Sequence, residues 1–91
     1  MNRKARLEIM VEAASRLLRD VACWYLGEAG RERLKPLPDQ EKIREWEGLC
    51  DFVLLERELL DVARADELER IIAHYGGVLS RLIKDYRADR R

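Results

Sequence analysis

Few side chains in this sequence could do acid–base or nucleophilic chemistry. The only histidine, His74, falls off the apolar stripe of its predicted helix, so we expect it in solvent rather than in a catalytic or metal-binding role. Ser15 and Ser80 have no histidine at helical spacing, so neither is a good candidate nucleophile. No Cys-x-x-Cys, His-x-x-x-His or glycine-rich phosphate loop occurs in the chain. We therefore predict a protein that is not an enzyme and that holds no cofactor and no metal.

Two cysteines, Cys23 and Cys50, are too few for a disulfide framework. We expect two buried structural thiols, the usual environment of free cysteine. In a helical hairpin that folds about residue 34, the two positions are offset by roughly 7–8 Å along the helix axis. An unstrained bridge does not span that offset, so we predict no disulfide.

Glu56 stands out because helical periodicity places it among apolar residues. An isolated buried carboxylate is costly. We therefore expect Glu56 to lie at the edge of the core, to pair with an arginine of a neighbouring helix, or to act as a recognition charge inside an apolar interface. The predicted partner-binding residues are Phe52, Leu55, Glu56, Leu59 and Val62.

The charges are balanced overall and segregated along the chain. The sequence has 91 residues with 18 basic and 18 acidic side chains. By segment the net charge is +3 over residues 1–38, −7 over 39–69 and +4 over 70–91. The simplest interpretation is an acidic helix packed between two basic ones, with each exposed pair worth at most about 1 kcal/mol.

A second interpretation of the charges concerns one end of the molecule. The basic residues expected there are Arg31, Arg33, Lys35, Lys84, Arg87, Arg90 and Arg91. Such an end could contact phosphates, so nucleic-acid binding is our alternative function. It ranks second because no recognition motif accompanies the charges and the sequence pI is about 6.6.

Four aromatic residues, Trp24, Tyr25, Trp46 and Tyr86, are expected at that same end. The hairpin geometry brings Trp24 level with Trp46. We predict an aromatic cap that closes the core. A partner-binding patch is the alternative, because tryptophan and tyrosine are favoured anchors in interfaces.

Three segments must form the elements that position these residues. Leu, Ala, Glu and Arg dominate and threonine is absent, which favours helices over strands. Apolar residues recur at alternating spacings of three and four, which predicts helices over about 2–28, 39–64 and 66–87. Asn2 is the expected N-cap of the first helix, and Asp66 with Glu69 resembles a capping box for the third.

The second helix differs from the other two because its apolar arc rotates by roughly 120° between its halves. Its second half should therefore touch two neighbours, or one neighbour and a partner chain. The inward residues expected in its first half are Ile43, Trp46, Leu49, Cys50 and Val53.

The sequence thus predicts a single all-α domain, an up-down-up antiparallel bundle of three long helices, with dimerisation as one way to complete its core. Its predicted function is a small protein–protein interaction module, an adaptor, an inhibitor or a subunit of a larger complex, that binds another protein or a second copy of itself through the second helix. No segment reaches the roughly 18 apolar residues of a membrane span. We therefore expect a cytoplasmic protein with no membrane partner.

Overall fold

A computed structural model describes residues 2–89, and the chain is helical almost throughout that range. Helix α1 runs over Arg3–Arg33, α2 over Gln40–Glu58 and α3 over Ala65–Asp89, with a short 3₁₀ helix at Leu60–Val62 between α2 and α3. Residues 2–89 contain no strand. The three long helices pack against one another, so the predicted all-α class is confirmed.

Polar side chains fix the starts of the first two helices. The Asn2 side chain accepts a hydrogen bond from the Ala5 backbone N–H at 2.7 Å, as predicted for an N-cap. The Asp39 carboxylate accepts from the backbone N–H groups of Glu41 and Lys42 at 3.0 and 3.2 Å. Both caps satisfy N–H groups that have no partner inside the helix.

Helix α1 ends at residue 33 rather than at the predicted residue 28. Gly27 and Gly30 both lie inside the helix, where a glycine costs only about 1 kcal/mol relative to alanine. The last turn tightens at Leu34, whose N–H bonds to a carbonyl three residues earlier at 3.2 Å. Pro36 then disfavours helical backbone in the residue before it, so the helix stops short of it.

Helix α2 ends at residue 58 rather than at the predicted residue 64. The chain passes into the 3₁₀ helix, and Ala63 is extended with φ −76° and ψ 145°. This break brings Leu60 into the core, where it is 2% exposed. Neither glycine nor proline marks the break, so local sequence alone does not place it.

Helix α3 starts at Ala65, with the Leu68 N–H bonded to the Arg64 carbonyl at 2.9 Å. The predicted capping box is wrong, because Asp66 lies in the first turn of the helix and not at its N-cap. Gly76 and Gly77 lie within α3, which is continuous through them.

The core lies where α1 meets the other two helices. Its most completely buried large side chains are Leu18 and Val21 of α1, Val53 of α2 and Leu68 of α3. Helices α2 and α3 both pack mainly on α1 and make few close backbone approaches to each other. The Cα positions span 54 × 27 × 14 Å, and one side of α2 is left without a neighbouring helix.

Candidate partner-binding surface on helix α2

Helix α2 has apolar residues on two opposite faces. Ile43, Cys50 and Val53 point toward α1 and are only 2–3% exposed. The other face is formed by large apolar side chains that are 42–79% exposed. We call it the outward face, and its residues are Leu49, Phe52 and Leu55 of α2, Leu59 directly after the helix, and Val62 of the 3₁₀ helix. At about 100° per residue, Phe52 lies roughly 140° around the helix from the centre of the inward face.

The four apolar residues predicted to bind a partner therefore lie together on one solvent-exposed surface. Leu49 extends this surface and had been assigned to the core. It is 42% exposed, so that assignment is wrong. Its spacing of three residues from Phe52 is the signal that places it on the outward face.

Glu56 lies half-buried at the border between the outward face and α3. Its Oε1 accepts a hydrogen bond from the Tyr75 hydroxyl at 2.9 Å. Glu56 therefore pairs with the buried Tyr75 and not with an arginine, which was one of the expectations from the sequence. Burial, and next the Glu56 carboxylate, raise the pKa of Tyr75 above its ordinary value, so the hydroxyl stays protonated and donates.

A shallow groove of about 410 Å³ lies between α2 and α3 beside this hydrogen bond. Phe52 and Glu56 line it from α2, and Ile71, His74 and Tyr75 line it from α3. His74 is exposed, as predicted. The outward face therefore continues into a depression that has an aromatic ring and a carboxylate at its edge.

Carboxylates surround the outward face. The acidic residues at its rim that hold no ion pair within residues 2–89 are Glu45, Asp51, Glu58 and Glu67. Arg57 of α2 points the other way and donates to the Ser15 carbonyl and hydroxyl at 3.1 and 2.9 Å. Part of the −7 charge of residues 39–69 therefore borders the exposed apolar surface.

Two arginines of the predicted basic end form ion pairs with nearby carboxylates. Arg31 pairs with Glu28, and the Arg31 guanidinium also lies 5.2 Å from the Tyr86 ring centroid. Arg33 contacts the carboxylate of Glu47 at 2.9 Å.

The other predicted basic residues are dispersed. Lys35 contacts the carboxylate of Glu32 at 3.0 Å. Lys84 and Arg87 line a separate depression made only of α3 residues. Arg90 and Arg91 lie outside the described residues.

Glu32 accepts hydrogen bonds from two residues of the loop that leads into α2. Its carboxylate accepts from the Lys35 ammonium at 3.0 Å and from the Asp39 backbone N–H at 3.2 Å. These hydrogen bonds, the first from Lys35, hold the pKa of Glu32 below its ordinary value.

The four aromatic residues form two tyrosine–tryptophan pairs. The rings of Trp24 and Tyr86 meet edge-on at 5.3 Å, and those of Tyr25 and Trp46 meet at 5.7 Å with a tilt of 31°. We expected Trp24 to lie next to Trp46, but each tryptophan pairs with a tyrosine instead. Positions 24 and 25 point about 100° apart on α1, so one faces α3 and the other faces α2.

Both cysteines are free thiols. Cys50 is buried as predicted, and burial raises its pKa. Cys23 is exposed, so the expectation of two buried thiols is wrong for that residue.

Residues 2–89 contain no group of three or more histidine, cysteine or acidic side chains placed to hold a metal ion.

A larger groove of about 760 Å³ lies on the first half of α1, and sequence reasoning did not anticipate it. Leu7 and Val11 form its apolar floor, with charged side chains of α1 and Asp61 around it.

Among the described residues, no helix combines the length and apolar character needed to cross a membrane.

Comparison with protein-family models, with curated proteins and with solved structures yields no match. The case for a function therefore depends on the geometry of the surfaces described above.

Proposed function

We propose that this protein is a small non-enzymatic interaction module that binds another protein through the outward face of α2. The observation that supports the proposal is the group of five large apolar side chains, 42–79% exposed, along α2 and the short 3₁₀ helix that follows it. Soluble proteins rarely expose contiguous large apolar patches unless the patch binds something.

The proposal includes an up-down-up course for the three helices. Arg57 near the end of α2 bonds to Ser15 in the first half of α1, which supports antiparallel α1 and α2. The ring of Tyr86 near the end of α3 meets that of Trp24 in the second half of α1 edge-on, which supports parallel α1 and α3. In this arrangement α3 lies beside one edge of α2 and leaves the outward face open.

Nucleic-acid binding through the basic end receives less support. Three of its cations are engaged by neighbouring carboxylates, so the field that would attract phosphates is weak. The outward face has no comparable internal partner, and for that reason it is the surface on which we base the function.

The test is affinity capture from a lysate of the native host with three forms of the chain. Phe52→Ser removes the central aromatic of the outward face, and Leu26→Ser is the matched control, since Leu26 is similarly exposed at 51% but lies on α1. We expect the wild type and Leu26→Ser to retain the same partner. We expect Phe52→Ser to lose it, with a fall in affinity of tenfold or more, since burying such a side chain is worth about 1.5–3 kcal/mol.

Retention of that partner by Phe52→Ser at the wild-type level would contradict the proposal. A further variant, Glu56→Leu, asks whether the carboxylate is recognised: loss of binding would make Glu56 part of the interface, and intact binding would restrict it to its bond with Tyr75.

A further inference from the structure

The charges around the outward face indicate which kind of partner fits it. The apolar row covers Leu49, Phe52 and Leu55 on α2 and continues through Leu59, directly after the helix, to Val62 in the 3₁₀ helix. An exposed apolar row with a shallow groove beside it is the geometry that receives an amphipathic helix. Phe52, which belongs to both the row and the groove, is the natural anchor.

The rim of this surface is acidic on both long sides. Asp51 and Glu58 lie on the solvent side of the row, about 100° and 120° from Phe52 around the helix. Glu56 and Glu67 lie on the side that meets α3. The basic residues near the rim are Arg44, and Arg70, which lies 3.9 Å from the Asp66 carboxylate. A ligand on this face therefore meets more carboxylates than cations along its whole length.

A second copy of this chain is a poor occupant of the same surface. Two outward faces related by a twofold axis would bring the Asp51 and Glu58 carboxylates of both copies to one interface. Like charges at an interface oppose association. A helix of the opposite charge gains from the same residues, because its cations approach carboxylates that no ion pair neutralises.

We propose that the outward face of α2 receives a basic amphipathic helix of another protein, with apolar residues at helical spacing and arginine or lysine on both flanks. This inference rests on the proposed function and adds the chemistry of the partner. Apolar contacts with Phe52, Leu55 and Leu59 supply most of the affinity, and the carboxylate rim selects the charge and orientation of the ligand.

Three synthetic helical peptides test this directly. They share one leucine stripe and carry flanks of arginine and lysine, of glutamine, or of glutamate, and each has a fluorescent label for anisotropy titration with the full chain. We expect the basic peptide to bind at least tenfold more tightly than the glutamine peptide at low ionic strength. We expect that preference to shrink as salt is added, because exposed charges are screened over about 8–10 Å.

Two sets of variants connect the binding to this surface. Asp51→Lys combined with Glu58→Lys should weaken the basic peptide about tenfold and strengthen the glutamate peptide. Both side chains are exposed and hold no ion pair within residues 2–89, so the fold should be unaffected, which circular dichroism would check. Phe52→Ser should weaken all three peptides, and Leu26→Ser should weaken none.

Equal binding of the three peptides, insensitive to salt but lost in Phe52→Ser, would overturn the inference and leave the proposed function intact. No binding of any peptide would also overturn it, while capture of a Phe52-dependent partner would still decide the proposed function separately. A wild-type dimer in sedimentation that becomes monomeric in Phe52→Ser would assign the surface to a second copy and overturn the basic-helix partner.

Discussion

The two faces of α2 have similar composition and opposite environments. Val53 and Cys50 on the inward face are 2% exposed, whereas Phe52 and Leu55 on the outward face are 56% and 55% exposed. All four belong to the same helix, and neighbouring residues differ by about 100° in direction. Hydrophobic residue type alone therefore does not determine burial in this molecule. Packing against α1 buries one face, and no described residue covers the other.

Adjacent leucines at the end of α2 give the largest test of this comparison. Leu60 is 2% exposed and Leu59 is 56% exposed. We expect Leu60→Ala to lower the free energy of unfolding by about 2–5 kcal/mol, since it leaves a cavity in the core. Leu59→Ala should change it by no more than about 0.5 kcal/mol. Urea denaturation followed by circular dichroism measures both.

Similar losses in the free energy of unfolding for the two variants would contradict the exposure of the outward face, because they would mean that this face is covered in solution. Repeating the measurement over a range of protein concentrations would then show whether a second copy covers it, since stability that depends on association rises with concentration.

Periodicity predicted much of this fold because it reports on individual helices. The all-helical class, the three long segments and the N-cap at Asn2 all follow from spacing and residue type. The break after Glu58 did not follow, because no glycine or proline marks it and tertiary packing of Leu60 determines it. The end of α1 was misplaced because Gly27 and Gly30 lie inside the helix, where each costs only about 1 kcal/mol relative to alanine.

The candidate surface was predicted in part. The rotation of the apolar arc showed that α2 has more apolar surface than one neighbour can cover, and this identified Phe52, Leu55 and Leu59. The partner of Glu56 was not predicted, because a hydrogen bond between α2 and α3 depends on their relative rotation and depth. A helical wheel of one segment contains neither quantity.

Removing the hydrogen bond from Tyr75 to Glu56, at the border between the outward face and α3, should give the next largest loss of stability. Tyr75→Phe removes the hydroxyl that donates to Glu56 at 2.9 Å and leaves a half-buried carboxylate without that donor. We expect a loss of about 1–2 kcal/mol in the free energy of unfolding. Glu56→Gln should cost less, because its amide oxygen still accepts from Tyr75. Thermal and urea unfolding of both variants would check this order, and an equal loss in the two would contradict it.

Gly48 tests the outward face from the opposite direction. A Cβ added there meets no heavy atom within 4 Å, so alanine fits the helix without a clash. We expect Gly48→Ala to raise the free energy of unfolding by about 0.5–1 kcal/mol, because alanine loses less backbone entropy in a helix than glycine. Destabilisation in urea titrations would indicate that another chain packs closely on this face.

The smallest effect should come from Glu32, whose carboxylate accepts from the Asp39 N–H at the start of α2. The folded pKa of Glu32 is depressed, with Lys35 as the first cause. Its stabilising contribution is therefore fully present above the unfolded pKa, about 4.3 for a glutamate. That contribution is lost as the pH falls through the lower folded pKa.

We accordingly expect Glu32→Gln to lower stability at neutral pH and the deficit to shrink on acidification below about pH 4.3. The effect should be small because the Lys35 side chain is 58% exposed, so solvent screens the pair. Glu12→Gln is the matched control: it removes an ion pair with Arg16 in which both side chains are about two-thirds exposed, and its deficit should be smaller at every pH. A Glu32→Gln deficit that grows on acidification would contradict the prediction, because it would mean that the folded state favours the protonated carboxyl and that the loop before α2 is not held by its charge.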